Sequence, residues 1–419
     1  MTGDAQAAAE SDGNWPVLAA VSLSTMLVMG STTYAFGLFV KPIGAEFGIG
    51  RADVNLGAAL MHLLCGALGP VVGKLIDAWP ASRVMLAGAL CYAIGAGTIA
   101  VSGNLLVMAA ALLFVSAGML AAGILMANAV ALRWFRRRRG LAMVVTAIGQ
   151  SAGGAIVVPL LGAAITAFGW RAALAGMAGI ALVVLSAIAL LVVRDPPEAR
   201  TARPESTMEE SEQAHGWRVG MLLRSRSFWM MSLGIALVFG IDAALLATLV
   251  PYGTDRGFSV PQAALLVSAL TSSAIAGKLI IAVVADRFDR RLQLMIVIAF
   301  NLIFVGALLA ELSAPLLIAA CCIVGLSVGG TAPLWYALAA DCFGTRSYGL
   351  VLGMMQVIVT LVTMAAIRFV GQVYDQTGSY DLAFKVFLAG SALAVLCVAG
   401  IAPPDGKADP AARRLAGSR

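Results

Sequence analysis

Lys278 is the residue whose type and position most demand an explanation. It stands inside an apolar stretch, ALTSSAIAGKLIIAVVADRFDRR (269–291), which ends in the charges Asp286, Arg287, Asp289, Arg290 and Arg291. An ammonium inside a helix of membrane length is costly and marks a functional site by default. Eight residues at 1.5 Å rise put Lys278 about 12 Å from Asp286. In a hydrocarbon core of about 30 Å that is near the midplane. The plain readings are a lysine snorkelling to the membrane edge or a structural ion pair. The chemical reading is an anion anchor: a bound carboxylate neutralises the site, and a neutral occupied site reorients more cheaply than an empty charged one. Asp242 is the only carboxylate deep in another apolar run. It is a candidate proton carrier, or a partner for Lys278 at a level roughly 10 Å different. Arg368 lies seven residues before Asp375, about 10 Å from a helix end. Snorkelling competes there with a second anion contact or an outer gate. Asn128 and the hydroxyls of Tyr34 and Tyr336 can donate hydrogen bonds to a carboxylate, and Trp335 can wall an apolar body.

Catalytic constellations are missing. The chain has no H-E-x-x-H and no G-x-x-x-x-G-K-[ST]. The Gly-Lys of AIAGKLI lacks the upstream glycine of a phosphate loop. Six cysteines without C-x-x-C spacing and only two histidines give no metal framework, so neither enzyme chemistry nor a cofactor is expected.

The elements that carry these residues follow from composition. The 419 residues are 60% hydrophobic and 12% charged, with a mean hydropathy of +0.92, against about 25% charge in soluble proteins. Apolar runs predict an all-α membrane protein with spans at 16–39, 53–75, 83–102, 105–132, 141–166, 171–193, 227–251, 260–285, 292–310, 314–340, 347–374 and 381–402. The organisation is an N-terminal tail (1–15), a six-helix half (16–193), a linker (194–226) rich in charge and proline, a second half (227–402) and a C-terminal tail (403–419). No cleavable signal peptide is expected.

Of 28 Lys and Arg, 21 fall on the side of the termini and the even-to-odd loops and five on the other side; Lys278 and Arg368 lie within spans. That asymmetry predicts both termini in the cytoplasm. The net charge of +6 therefore reports topology and contact with anionic lipid, with no nucleic-acid partner expected. Spans 2 and 8 echo each other, each ending in an Asp (Asp77, Asp286) followed by Arg, as in transporters built from repeated halves.

Twelve spans in six-plus-six form with Asp/Arg loops after spans 2 and 8 resemble the major facilitator superfamily. Gly73 and Asp77, and in the second copy Asp286, Arg290 and Arg291, match its loop motif; Trp79-Pro80-Ala81-Ser82 and Asp289 depart from it. RWFRRRRGLAMVVTAIGQSAGG (133–154) resembles the monocarboxylate transporter signature. Asp12-Gly13-Asn14-Trp15 and Gly371-Gln372-Val373-Tyr374-Asp375 with Gly378 and Tyr380 support it. That family and the related oxalate/formate exchangers carry an Arg eight residues before the loop Asp that binds substrate carboxylate; Lys278 occupies that place. The resemblance implies that Tyr34, Asn128, Trp335 and Tyr336 lie on cavity-lining helices, and that Asp77, Arg83, Asp286, Arg290 and Arg291 latch helix ends during the transport cycle. Lys for Arg removes the bidentate fork. Ala274, Leu38 and Met355 stand where relatives carry further charges, which favours a monoanion.

The expected function is secondary transport of a small monocarboxylate by alternating access, as proton symport or anion exchange. The expected setting is a bacterial inner membrane, with the protein working as a monomer among lipid. An exporter of amphipathic compounds and a transport-derived receptor are the competing expectations. The first would suit the 18 Met; the second would need a signalling domain that the 33-residue linker is too short to supply.

Overall fold

The computed structural model describes residues 14–135, 138–194, 219–284, 288–310, 312–343 and 348–401. Twelve helices are long and apolar enough to cross a membrane: α1 (Trp15–Phe47), α2 (Arg51–Ala78), α3 (Ala81–Val101), α4 (Leu105–Trp134), α5 (Gly140–Phe168), α6 (Trp170–Val192), α7 (Arg226–Asp255), α8 (Val260–Val284), α9 (Arg290–Leu309), α10 (Ala314–Phe343), α11 (Leu350–Thr377) and α12 (Asp381–Ala399). All twelve expected spans are present, most with ends within a few residues. The largest departure is α1, which continues past the expected residue 39 through Lys41 and Pro42 to Phe47. It does so by breaking at residues 32–35 and restarting at Phe36. Gly48, at φ +64°, then supplies the left-handed residue that stops the helix.

Helices in lipid associate by close packing and polar contacts, since the surroundings are as apolar as the side chains. The α8–α10 pair shows this. Gly329 lies on the Ala274 carbonyl and the backbone nitrogen of Lys278, and a methyl there would overlap both. The Ser327 hydroxyl of α10 donates to the Val297 carbonyl of α9 at 2.6 Å. In the first half, Ser31 and Tyr92 share a 2.6 Å hydroxyl contact between α1 and α3.

The two halves meet at the end of the bundle remote from the chain termini, here the distal end. Asp255 at the close of α7 takes Lys41 of α1 at 2.6 Å, and Arg51 of α2 in a two-pronged pair at 2.7 and 2.9 Å. Asp375 of α11 accepts the backbone N–H groups of Arg51 and Ala52, both at 2.8 Å, so a carboxylate caps the first turn of α2. The Arg51 guanidinium lies 3.5 Å from the Tyr374 ring centroid and donates to the Tyr380 hydroxyl. Burial pushes the Tyr380 hydroxyl above the usual phenol range, although Arg51 pulls it down. The phenol therefore stays protonated and accepts from the guanidinium. Deeper in, Asn55 of α2 donates to the Ile367 carbonyl of α11 at 3.1 Å. Nearer the proximal end, which carries the termini, α2 is no longer crowded: an added Cβ at Gly69 or Gly73 would meet no atom within 4 Å. Among the described residues the ion pairs between the halves all lie at the distal end.

Two outcomes follow. Asp255→Asn leaves Lys41 and Arg51 without their counter-charge. Because the pair is partly exposed, the loss is about 1 kcal/mol, roughly fivefold in the ratio of distally open to closed molecules. Spin labels at positions 45 and 376 in a cysteine-free background read this as a longer-distance population; Arg171→Gln, which breaks an ion pair within the first half, leaves the distances unchanged. Gly329→Val lowers thermal stability by about 1–3 kcal/mol through overpacking, whereas Gly306→Ala, with open space around it, is near neutral in the same melt.

Candidate functional site

Lys278 reaches across the interface between the halves. Its Nζ donates to the Ala147 carbonyl at 2.5 Å and to the Ser151 Oγ at 2.7 Å, both on α5. These acceptors are neutral, and among the described residues no carboxylate pairs with the ammonium. Two neutral oxygens satisfy two of its three donors and leave its charge uncompensated. The Tyr34 hydroxyl lies beside Ser151, at the break in α1 that turns this side chain toward the interior. Ser151 thus joins Lys278 of the second half to Tyr34 of the first. Just beyond it, residues Gly153–Val157 form a π-helical turn, a widening that often accompanies functional positions.

Asp242 does not meet Lys278. It faces Asn301 of α9, in the second half. Asn301 is 2% exposed, and neither of its carboxamide atoms makes a hydrogen bond of full geometry. Asn128 accepts from the Thr146 hydroxyl at 2.9 Å, so its oxygen serves the α4–α5 contact. Trp335 and Tyr336 line a cavity of about 490 Å³ between α7, α10 and α11. Arg368 lies 4.0 Å from Asp53 across the α11–α2 contact, at the distal end and far from this cavity's walls.

Most of the loop residues pair within their own halves. Asp77 lies 4.0 Å from Arg133 of α4, with its side chain 80% exposed. Arg83 makes no ion pair among the described residues, and Gly73 faces open space. Arg290 pairs with Asp341 of α10 at 2.7 Å, and Arg291 donates to the Ile401 carbonyl. Asp286, like most of the linker, lies outside the described residues.

Several residues now prominent were not singled out from the sequence. Ser151 and the Ala147 carbonyl are Lys278's partners, and a backbone carbonyl leaves no trace in composition. Lys41, Arg51, Asp255 and Asp375 counted only toward topology. Opposite charges at the distal ends of spans in different halves were the available signal. Asn301, a lone polar residue in the apolar run of α9, was another.

Comparison with known proteins agrees with this architecture. The sequence profile of the Major Facilitator Superfamily matches residues 21–367 and again 236–417. Monocarboxylate transporter 11 of Homo sapiens is 27% identical over 403 residues, covering 92% of this chain and 82% of that protein. The oxalate:formate antiporter of Oxalobacter formigenes is 24% identical over 332 residues, covering 77% of each. Among solved structures, the D-xylose-proton symporter superposes with a TM-score of 0.71 at 12% identity, covering 94% of this chain and 98% of its own. A bacterial homologue of the human lysosomal transporter Spinster, inward-facing and occupied, gives 0.65 at 16% identity, covering 92% and 95%. At such identities the structural likeness speaks to fold alone. With a family profile spanning most of its length, twelve membrane-crossing helices and a matching fold, the chain belongs to the major facilitator superfamily and is an integral membrane transport protein, not an enzyme.

Proposed function

We propose that the protein carries a monocarboxylate across the membrane by alternating access, with Lys278 as the anchor for the carboxylate and both termini in the cytoplasm. The observation that carries this reading is the Lys278 ammonium between the halves, held only by neutral oxygens of α5. A substrate carboxylate offers what these partners lack, a negative charge in a part-buried place where water screens less than at the surface. It exchanges neutral acceptors for a charged one, and the stronger contact forms only when substrate is present. Tyr34 and Ser151 are placed to add hydrogen bonds to the second carboxylate oxygen. Relatives named as monocarboxylate transporters and an oxalate:formate antiporter support a carboxylate as cargo.

Asp242 is the proposed proton site for the symport mode. It sits apart from Lys278 in the second half, half-buried and facing the buried Asn301 carboxamide. A protonated carboxyl donates to the Asn oxygen, and a carboxylate accepts from its NH2, so the same neighbour serves both states. A proton taken up there changes the contact between Asp242 of α7 and Asn301 of α9 without competing for the substrate's anchor.

In proteoliposomes, Lys278→Ala lowers uptake of labelled monocarboxylate by about 10- to 150-fold, the worth of one hydrogen bond to a charged group. Lys278→Arg keeps part of it. Unchanged carboxylate uptake in Lys278→Ala contradicts the anchor. Asp242→Asn abolishes accumulation driven by an inward proton gradient while carboxylate counterflow continues; accumulation that survives the change rules Asp242 out as the proton site.

A further inference from the structure

The cavity of about 490 Å³ between α7, α10 and α11 is too large for the smallest acids and has the wrong walls for a charge. Ile235, Phe239, Trp335, Met355 and Val359 supply its apolar surface, and Gln356 of α11 is the one carboxamide among its described lining residues. No cation is among those described residues. Met355, where the exchangers' resemblance sets a second cation, presents a thioether. At ~30 Å³ per water the space corresponds to on the order of sixteen waters, and it falls within the roughly 300–1,000 Å³ of sites that house drug-sized ligands. An acid of two or three carbons displaces few of those waters. The rest would remain against walls that give them few partners when the site is occluded. An apolar group filling the space removes that cost.

Lys278 does not itself line the cavity, but the same helix, α10, touches both. Gly329 lies on the backbone nitrogen of Lys278. Ala332 and Tyr336, three and seven residues further, both line the cavity, about 4.5 and 10.5 Å along the helix axis. A ligand with its charged end at the ammonium and its body along α10 therefore reaches the apolar space. The Gln356 carboxamide makes no hydrogen bond among the described residues and is exposed, so it is open to a single polar substituent on that body.

We propose that the substrate is a monocarboxylate with a bulky apolar or aromatic body, its carboxylate on Lys278 and its body in the α7–α10–α11 cavity. This rests on the carboxylate reading above and narrows it. A second carboxylate on the same molecule finds no cation among these walls, which excludes dicarboxylates.

The test compares lactate and 3-phenylpropanoate by calorimetric binding and by proteoliposome uptake, using the full-length protein and two variants. Gly353→Leu narrows the cavity from α11; an added Cβ at Gly353 meets no atom within 4 Å, so the change is accommodated. Burying the ring gives 3-phenylpropanoate about a 30-fold lower Kd than lactate. Gly353→Leu weakens 3-phenylpropanoate about 10-fold and leaves lactate unchanged, and Lys278→Ala removes both. Lactate binding as tightly as 3-phenylpropanoate overturns the inference, as does Gly353→Leu acting on neither acid or equally on both. If short acids are carried with Lys278 dependence while aromatic acids are refused, only this narrowing fails. If no acid binds, or Lys278→Ala binds acids normally, the carboxylate reading fails with it.

Discussion

One ammonium, held between two halves of the molecule by uncharged oxygens, is the constraint on which the rest depends. Lys278 belongs to α8, yet its partners Ala147 and Ser151 belong to α5. Its cost in an apolar setting is met in part by hydrogen bonds and left unmet in charge. A helix bundle that keeps such a residue needs close backbone packing to position it. Gly329 of α10 against the α8 backbone supplies this.

The distal cluster is the counterpart of this constraint. Arg51, Lys41, Asp255 and Asp375 join four helices from both halves around two aromatic rings. Their ion pairs are partly exposed and therefore individually weak, which suits contacts that must be broken and remade in each transport cycle. A fully buried network would hold one state too firmly to exchange. The middle of the bundle instead carries the discriminating chemistry, with a single cation on one side of α10 and an apolar cavity on another. On the reading proposed above, charge and shape are read by different surfaces of the second half.

Much of the fold was legible in the sequence because hydrocarbon imposes simple rules. Every backbone polar group must be paired within a helix, so apolar length alone located twelve spans. The break in α1 at residues 32–35 was less legible. The Tyr34-Ala35-Phe36-Gly37 stretch suggested bending, but the restart of the helix through Lys41 and Pro42 depends on Lys41 finding Asp255 more than two hundred residues away. The site was legible in its types and not in its pairings. A lysine in a span announced a functional position, whereas its partner proved to be a serine and a carbonyl. Asp242 was identifiable as an isolated acid, but its facing Asn301, and not Lys278, follows from the rotation of α7, which periodicity does not specify.

The central claim is that a substrate carboxylate sits on the Lys278 ammonium. The most direct measurement is a solid-state NMR dipolar recoupling experiment on protein reconstituted in lipid, with ¹⁵Nζ-lysine in the protein and ¹³C at the substrate carboxyl. Because Lys41, Lys74, Lys385 and Lys407 also carry the label, the Lys278→Arg protein serves as the reference. The account predicts a ¹³C–¹⁵N coupling corresponding to less than about 4 Å, the separation of a charge-assisted hydrogen bond, and its loss in the reference. Bound substrate without that coupling, or with a coupling that persists in the reference, contradicts it.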